Sequence, residues 1–168
     1  EPESQTLTLI KQDEVLGGYD PTDYASQRIY IEADDGEQIP VSIVYHRNLY
    51  RPGENACLLY GYGSYGSTID PAFRSTRLTL LDRGFAFAIA HVRGGQMLGR
   101  QWYEDGKLLK KKNSFFDFID CAKHLIDEKY TSGKHIYAQG GSAGGLLMGA
   151  VLNYEPTLFN GVIAAVPF

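Results

Sequence analysis

The run Gly140-Gly141-Ser142-Ala143-Gly144 constrains this chain more than any other segment. His135-Ile136-Tyr137-Ala138 precedes it as a short strand pattern. Leu146-Leu147-Met148-Gly149-Ala150-Val151-Leu152 follows as an apolar helix pattern. A strand that passes directly into a helix over one serine needs a tight, strained turn, and glycine two residues to either side is what that turn demands. Gly140 and Gly144 meet the demand, and Gly141 and Gly145 relax it further. Such a turn implies a sheet with helices packed on it.

The remaining pattern supplies one. Ile29 to Ala33 and Pro40 to Tyr45 are strand-like runs joined by Asp34-Asp35-Gly36-Glu37, a hairpin signal. Ala56 to Tyr60 reads as a buried strand, residues 71–83 as a helix closed by Gly84, and Phe85 to Val92 as a strand buried on both faces. Residues 93–112 read as a long polar loop. Phe115, Phe118, Ile119, Ala122, Leu125 and Ile126 recur at helical spacing after Asn113 and Ser114, either of which could cap the helix. Lys134 to Gln139 is a strand, a helix covers roughly 143–153, and Gly161 to Val166 is a last strand. A hairpin followed by alternating strands and helices predicts an α/β three-layer fold with a mostly parallel sheet. Residues 28–168 form that unit. Residues 1–27 read as a linker, with Thr6 to Ile10 alternating like a short strand before the turn signals Gly17-Gly18-Tyr19-Asp20-Pro21.

At 168 residues the chain has the size of one domain, and 43% hydrophobic with 21% charged residues is ordinary globular usage. A net charge of −4 argues against nucleic acid as a partner. Cys57 and Cys121 lack metal spacing and read as buried, reduced thiols, which fits a cytoplasmic location. No secretory signal and no membrane-length apolar run is visible. The first residue is Glu1 rather than Met, so the chain reads as part of something longer.

Chemistry centres on Ser142. A serine hydroxyl attacks well only when exposed, oriented and paired with a base. The turn provides exposure, and the helix after it aims amides, Ala143's first, at a developing negative charge. In an α/β-hydrolase fold the loop after the third strand gives a second donor. Here that loop is Tyr60-Gly61-Tyr62-Gly63-Ser64-Tyr65-Gly66. It lacks the His-Gly-Gly-Gly motif of lipases and esterases, so a tyrosine hydroxyl could take the role, or the rings could simply pack. In His91-Val92-Arg93-Gly94-Gly95, Arg93 either binds a substrate carboxylate or locks a loop, and His91 reads as structural because it precedes the serine. Lys110-Lys111-Lys112 reads as solvated charge. No spacing suits a metal, no phosphate loop is present, and no cofactor is implied.

The fold expects serine, then an acid, then histidine along the chain. After Ser142 the only acid is Glu155, and His46, His91, His124 and His135 all lie before it. The chain therefore reads as an α/β-hydrolase fold truncated after the nucleophile helix and the following strand, without a complete triad.

Together, residues 140–145, 60–66, 91–95, Trp102-Tyr103 and Lys110-Lys111-Lys112-Asn113 resemble the prolyl oligopeptidase family of serine peptidases, and within it the oligopeptidase B group, over about residues 28–168. The resemblance implies a cytoplasmic endopeptidase that cleaves short peptides after Arg or Lys. It implies a seven-bladed β-propeller over the active site, of which residues 1–12 could hold the last strand. Ser142 matches the nucleophile, and Tyr62 and the Ala143 amide match the oxyanion donors. Tyr65 matches an aromatic position lining the substrate pocket, and Asp70 an acidic subsite position, while Ala72 stands where a second acid can occur. The implied partners are short basic peptides and the remainder of the same protein, its propeller and C-terminal catalytic part. The competing reading is a non-catalytic folding or association unit, and an esterase fits less well.

Overall fold

The hairpin predicted around Asp34-Asp35-Gly36 is where the sheet begins. The structure, a computed structural model, describes residues 6–168. Gly36 sits at φ +88° and its amide donates to the Ala33 carbonyl at 2.8 Å, closing the turn between β1 (Tyr24–Glu32) and β2 (Gln38–His46). The two strands pair antiparallel from Tyr24 opposite His46 to Glu32 opposite Gln38. Both run longer than the sequence pattern suggested, and β1 starts inside the stretch read as connection. Thr6 to Ile10 is not a strand. Leu7, Leu9 and Ile10 are exposed there, and none of the strands among the described residues pairs with them. Residues 1–5 of the predicted linker lie outside the described residues.

Beyond β2 come β3 (Cys57–Tyr60), β4 (Ala86–Ala90), β5 (Ile136–Gly141) and β6 (Gly161–Ala165). The sheet order is β1-β2-β4-β3-β5-β6. β2 and β4 are antiparallel, and the pairs β4–β3, β3–β5 and β5–β6 are parallel. Helix α1 (Ser75–Leu81) links β3 to β4, α2 (Arg100–Glu104) and α3 (Lys112–Asp127) lie between β4 and β5, and α4 (Ala143–Tyr154) links β5 to β6.

Strand alternation divides the core between two faces. Cys57, Leu59, Ala86, Ala88, Ile136 and Ala138 share one cluster with Phe118, Ala122 and Leu125 of α3 and Leu147, Met148 and Val151 of α4. Leu58, Phe87 and Ile89 form the other with Leu78 and Leu81 of α1. The alanines of β4 leave room for large side chains from α3 and α4. Both cysteines are buried free thiols, and burial pushes Cys57 up to about 12.

Three local expectations change. The helix expected over 71–83 is only α1, because the chain stays extended through Arg74, at φ −139°. The polar loop 93–112 contains α2 and a 3-10 turn at Leu108–Lys110. Helix α3 begins at Lys112, and neither Asn113 nor Ser114 caps it. The Asn113 amide donates instead to the Asp105 carbonyl at 2.9 Å, and the Ser114 hydroxyl to the Arg93 carbonyl at 2.5 Å.

Candidate active site

Parallel strands deliver their C-terminal ends to one edge of the sheet, and three segments meet there. The first is the turn at Ser142, which has φ 55° and ψ −117°, a conformation that L-residues rarely adopt. The two outer glycines are a steric requirement. A Cβ on Gly140 would lie 2.2 Å from the Gly144 carbonyl oxygen, and one on Gly144 would lie 2.6 Å from the Gly61 carbonyl oxygen. Gly145 is equally constrained, since its Cβ would meet Pro167 at 2.7 Å. Gly141 is not, having only ordinary contacts at 3.7 Å. The backbone amide of Ser142 donates to Ala165 at 2.9 Å, tying the turn to β6.

No side chain caps α4. In its first turn the Gly145 amide donates to the Ser142 carbonyl at 2.8 Å, which leaves the Ala143 and Gly144 amides at the positive end of the helix dipole, where an anion is favoured. The second segment, the loop after β3, lies directly against this turn. A Cβ on Gly144 would come within 3.4 Å of the Tyr62 Cα and 3.5 Å of its ring. Tyr62, Ser142 and Ala143 are therefore brought together. The loop also carries Tyr65, 71% exposed at φ 59°, and Asp70, exposed and without an ion pair or hydrogen bond among the described residues.

The third segment starts at His91, and here the sequence reading of Arg93 as a substrate-binding residue is corrected. Its side chain is only 5% exposed and makes a forked ion pair with the fully buried Asp117 of α3, at 2.5 Å from Nη2 and about 3 Å from Nε. Nη1 reaches Asp35 of the hairpin turn at 2.6 Å. With both ends of the guanidinium taken up by carboxylates, Arg93 locks loops to the sheet and has nothing to offer a ligand. His91 is structural as expected. Its Nε2 lies 2.8 Å from the Ser42 hydroxyl, and burial, with Arg28 adding to it, pulls the imidazole down to about 4, so it stays neutral. The Trp102 indole donates to the His91 carbonyl at 2.9 Å.

The lysine triplet also departs from expectation at its centre. Lys110 is exposed and pairs with Asp105, but Lys111 is half-buried. Its ammonium donates to the Gly63 carbonyl, to Ser64 at 2.8 Å and to Ser114 at 3.1 Å. Sequence reasoning missed both Lys111 and Asp117. For Asp117 a signal existed: it falls between Ser114 and Cys121 on the buried stripe of α3, and an acid on an apolar face needs a cation. For Lys111 there was none, because three consecutive lysines carry no register.

Among the described residues no hydrogen bond joins the Ser142 hydroxyl to a histidine or an acid. His46 stacks edge-on to Tyr24, His135 lies 3.2 Å from Ser132, and Glu155 pairs with Lys123 at 2.7 Å. No group of acids, histidines or cysteines among these residues could hold a metal. A groove of about 490 Å³ lies on the α1 side of the sheet beside Arg28, Phe73, Arg77 and Phe87, and none of the site residues lines it.

The model of the prolyl oligopeptidase family matches residues 71–168, which include α4 and Ser142. The chain belongs to the prolyl oligopeptidase family. It is 48% identical over 160 residues to dipeptidyl aminopeptidase BI of Pseudoxanthomonas mexicana, covering 95% of this chain and 22% of that protein. It is 48% identical over 154 residues to protease 2 of Moraxella lacunata, covering 92% of this chain and 22% of that protein. Oligopeptidase B from Leishmania major superposes with a TM-score of 0.93 at 49% identity, covering 99% of this chain and 23% of that one. The sheet with its helices is thus the α/β-hydrolase portion of an oligopeptidase B fold, and the chain spans between a fifth and a quarter of the length of these relatives.

Proposed function

We propose that this chain carries the nucleophile half of a serine endopeptidase site that cleaves short peptides after Arg or Lys, working within a longer, cytoplasmic polypeptide. The observation that carries the reading is Ser142 at φ 55°, held by glycines that admit no side chain, with Tyr62 seated on the same turn. Ser142 Oγ would bond to the scissile carbonyl carbon while a base from another segment takes its proton. The carbonyl oxygen, now negative, would be held by the Ala143 amide and the Tyr62 hydroxyl. The C–N bond then breaks, the amine leaves with a proton, and water releases the acyl group. The acid and histidine of the triad, and a propeller covering the site, belong to the remainder of the polypeptide. Tyr65 and the unpaired Asp70 would line the substrate path, and an acid there suits basic peptides. The preference for Arg or Lys rests on likeness to oligopeptidase B. No helix among the described residues is long and apolar enough to cross a membrane.

The second reading is an association unit without catalysis, favoured by β6, an edge strand whose Ile163 is exposed. A fluorophosphonate probe separates the two. Ser142 is expected to be labelled in the full-length polypeptide and not in the 168-residue chain. Labelling of the short chain would refute the incomplete triad, and a full-length protein that resists the probe would refute the peptidase.

A further inference from the structure

The loop that presents Tyr62 has no regular structure, yet the proposed chemistry needs its phenol fixed. Its backbone is tied at both ends, the Gly61 amide to the Gln139 carbonyl at 3.0 Å and the Gly66 amide to the Gly94 carbonyl at 2.9 Å. Between these ties lie Tyr62, Gly63, Ser64 and Tyr65. Gly63, at φ +71°, is the residue with the most backbone freedom to lose. We infer that Lys111 is a positioning residue for the peptidase reaction: its ammonium, bonded to Gly63, Ser64 and Ser114, fixes the backbone immediately after Tyr62. The inference rests on the proposed role of Tyr62 as an oxyanion donor.

The geometry is specific. An ammonium has three hydrogens, and Lys111 has three acceptors: the Gly63 carbonyl, Ser64 Oγ and Ser114 Oγ. Ser114 has one hydrogen, engaged with the Arg93 carbonyl at 2.5 Å, so its lone pairs are free to accept from the lysine. From the other side the Gly63 carbonyl is pressed against Gly94, where an added Cβ would stand 2.1 Å from its oxygen. The Gly63–Ser64 peptide, one residue beyond Tyr62, is therefore wedged between a glycine backbone and a cation. Ser114 and Asp117 stand one turn apart on α3, so the helix holds Lys111's acceptor and Arg93's carboxylate as one unit.

The helix end does not favour a lysine here, although the Phe115 ring lies 5.9 Å from its ammonium. Lys111 precedes the first residue of α3, where the helix dipole opposes a cation by about 0.3–1 kcal/mol. Burial pulls its ammonium down to about 8, against the attraction of Asp117. A residue placed against both effects is held by what it binds, and two of its three partners are on the Tyr62 loop.

A double-mutant cycle on kcat tests this in the full-length polypeptide, with Lys111→Met, Tyr62→Phe and the pair. Tyr62→Phe alone is expected to lower kcat about 10²–10³-fold, as for loss of one oxyanion donor. Lys111→Met alone is expected to lower kcat by up to about 10²-fold, the scale of a 1 Å misplacement, with KM little changed. The double variant is expected to be no slower than Tyr62→Phe, because a tyrosine without its hydroxyl gains nothing from being held. Losses that multiply would show that Lys111 acts on the fold at large and overturn the inference, as would a Lys111→Met enzyme of undiminished kcat. An unaffected Tyr62→Phe enzyme would instead remove the oxyanion reading itself. Should Lys111→Met not fold, Ser64→Ala removes one of the ammonium's acceptors on the loop and enters the same cycle, with the same two outcomes deciding.

Discussion

Gly144 and Gly149 lie five residues apart in α4, and one substitution is expected to act in opposite directions at the two. Alanine in place of glycine inside a helix gains about 0.8–1 kcal/mol from backbone entropy. At Gly149 nothing lies within 4 Å of the added Cβ, so Gly149→Ala should keep that gain and raise Tm. At Gly144 the Cβ would meet the Gly61 carbonyl oxygen at 2.6 Å, where ordinary contact begins at 3.4 Å. The carbonyl would have to retreat by about 0.8 Å. Gly61 has little room to give: it packs so closely on Phe118 that a Cβ there would lie 2.6 Å from the ring. Overpacking of this kind costs about 1–3 kcal/mol, which outweighs the helix term. The strain also falls on the residue before Tyr62, so kcat should drop with stability, on the order of 10²-fold for a shift approaching 1 Å. Thermal melts and steady-state kinetics of both variants in the full-length polypeptide provide the comparison. A Gly144→Ala enzyme as stable and as fast as its Gly149→Ala counterpart would refute the argument that the β3 loop and the serine turn are in steric register.

Two further outcomes follow from the buried charges. Asp117→Ala leaves Arg93 buried with only the half-exposed Asp35, and a loss of about 3–5 kcal/mol is expected from melts, with Asp35→Ala losing clearly less; equal losses would contradict the assignment of Asp117 as the main partner. His91, drawn down to about 4 from 6.5, binds its proton later than the unfolded chain does, so its contribution is complete above pH 6.5 and disappears as the pH falls toward 4. That contribution is at most about 3 kcal/mol. The Tm of the native protein should therefore fall more steeply than that of His91→Gln between pH 6.5 and 4, and parallel curves would show that the imidazole is not desolvated.

Much of the fold was legible because its determinants are local. The Asp35-Gly36 turn, the continuous apolar run of β4 and the helical spacing from Phe115 to Ile126 each depend on residues within a few positions of one another. The errors came where tertiary contacts replaced local ones. Ser114 is a sound capping residue by type, but its hydroxyl serves the Arg93 carbonyl, 21 residues away. Helix α2 has five residues and no apolar period, and it is anchored by Trp102 donating to His91. Thr6 to Ile10 shows the converse, a strand pattern that joins no sheet among the described residues.

The site divides along the same line. Ser142 was visible because strand, glycines and helix are contiguous, whereas the support for Tyr62 is assembled from glycines at 63, 94 and 106. A Cβ on Gly94 would stand 2.1 Å from the Gly63 oxygen, and one on Gly106 would stand 2.0 Å from the Gly94 nitrogen. These three backbones stack in direct contact, and Lys111 and Ser114 bind what the stack exposes. In one dimension they are glycines in two separate polar loops. Their spacing carries no periodicity because the distances that fix them run across the sheet edge and not along the chain. The proposed nucleophile is thus set by a local strain and its proposed oxyanion partner by a non-local packing. A single change in the stack, far from Ser142 in sequence, should therefore move Tyr62 while leaving the serine turn in place.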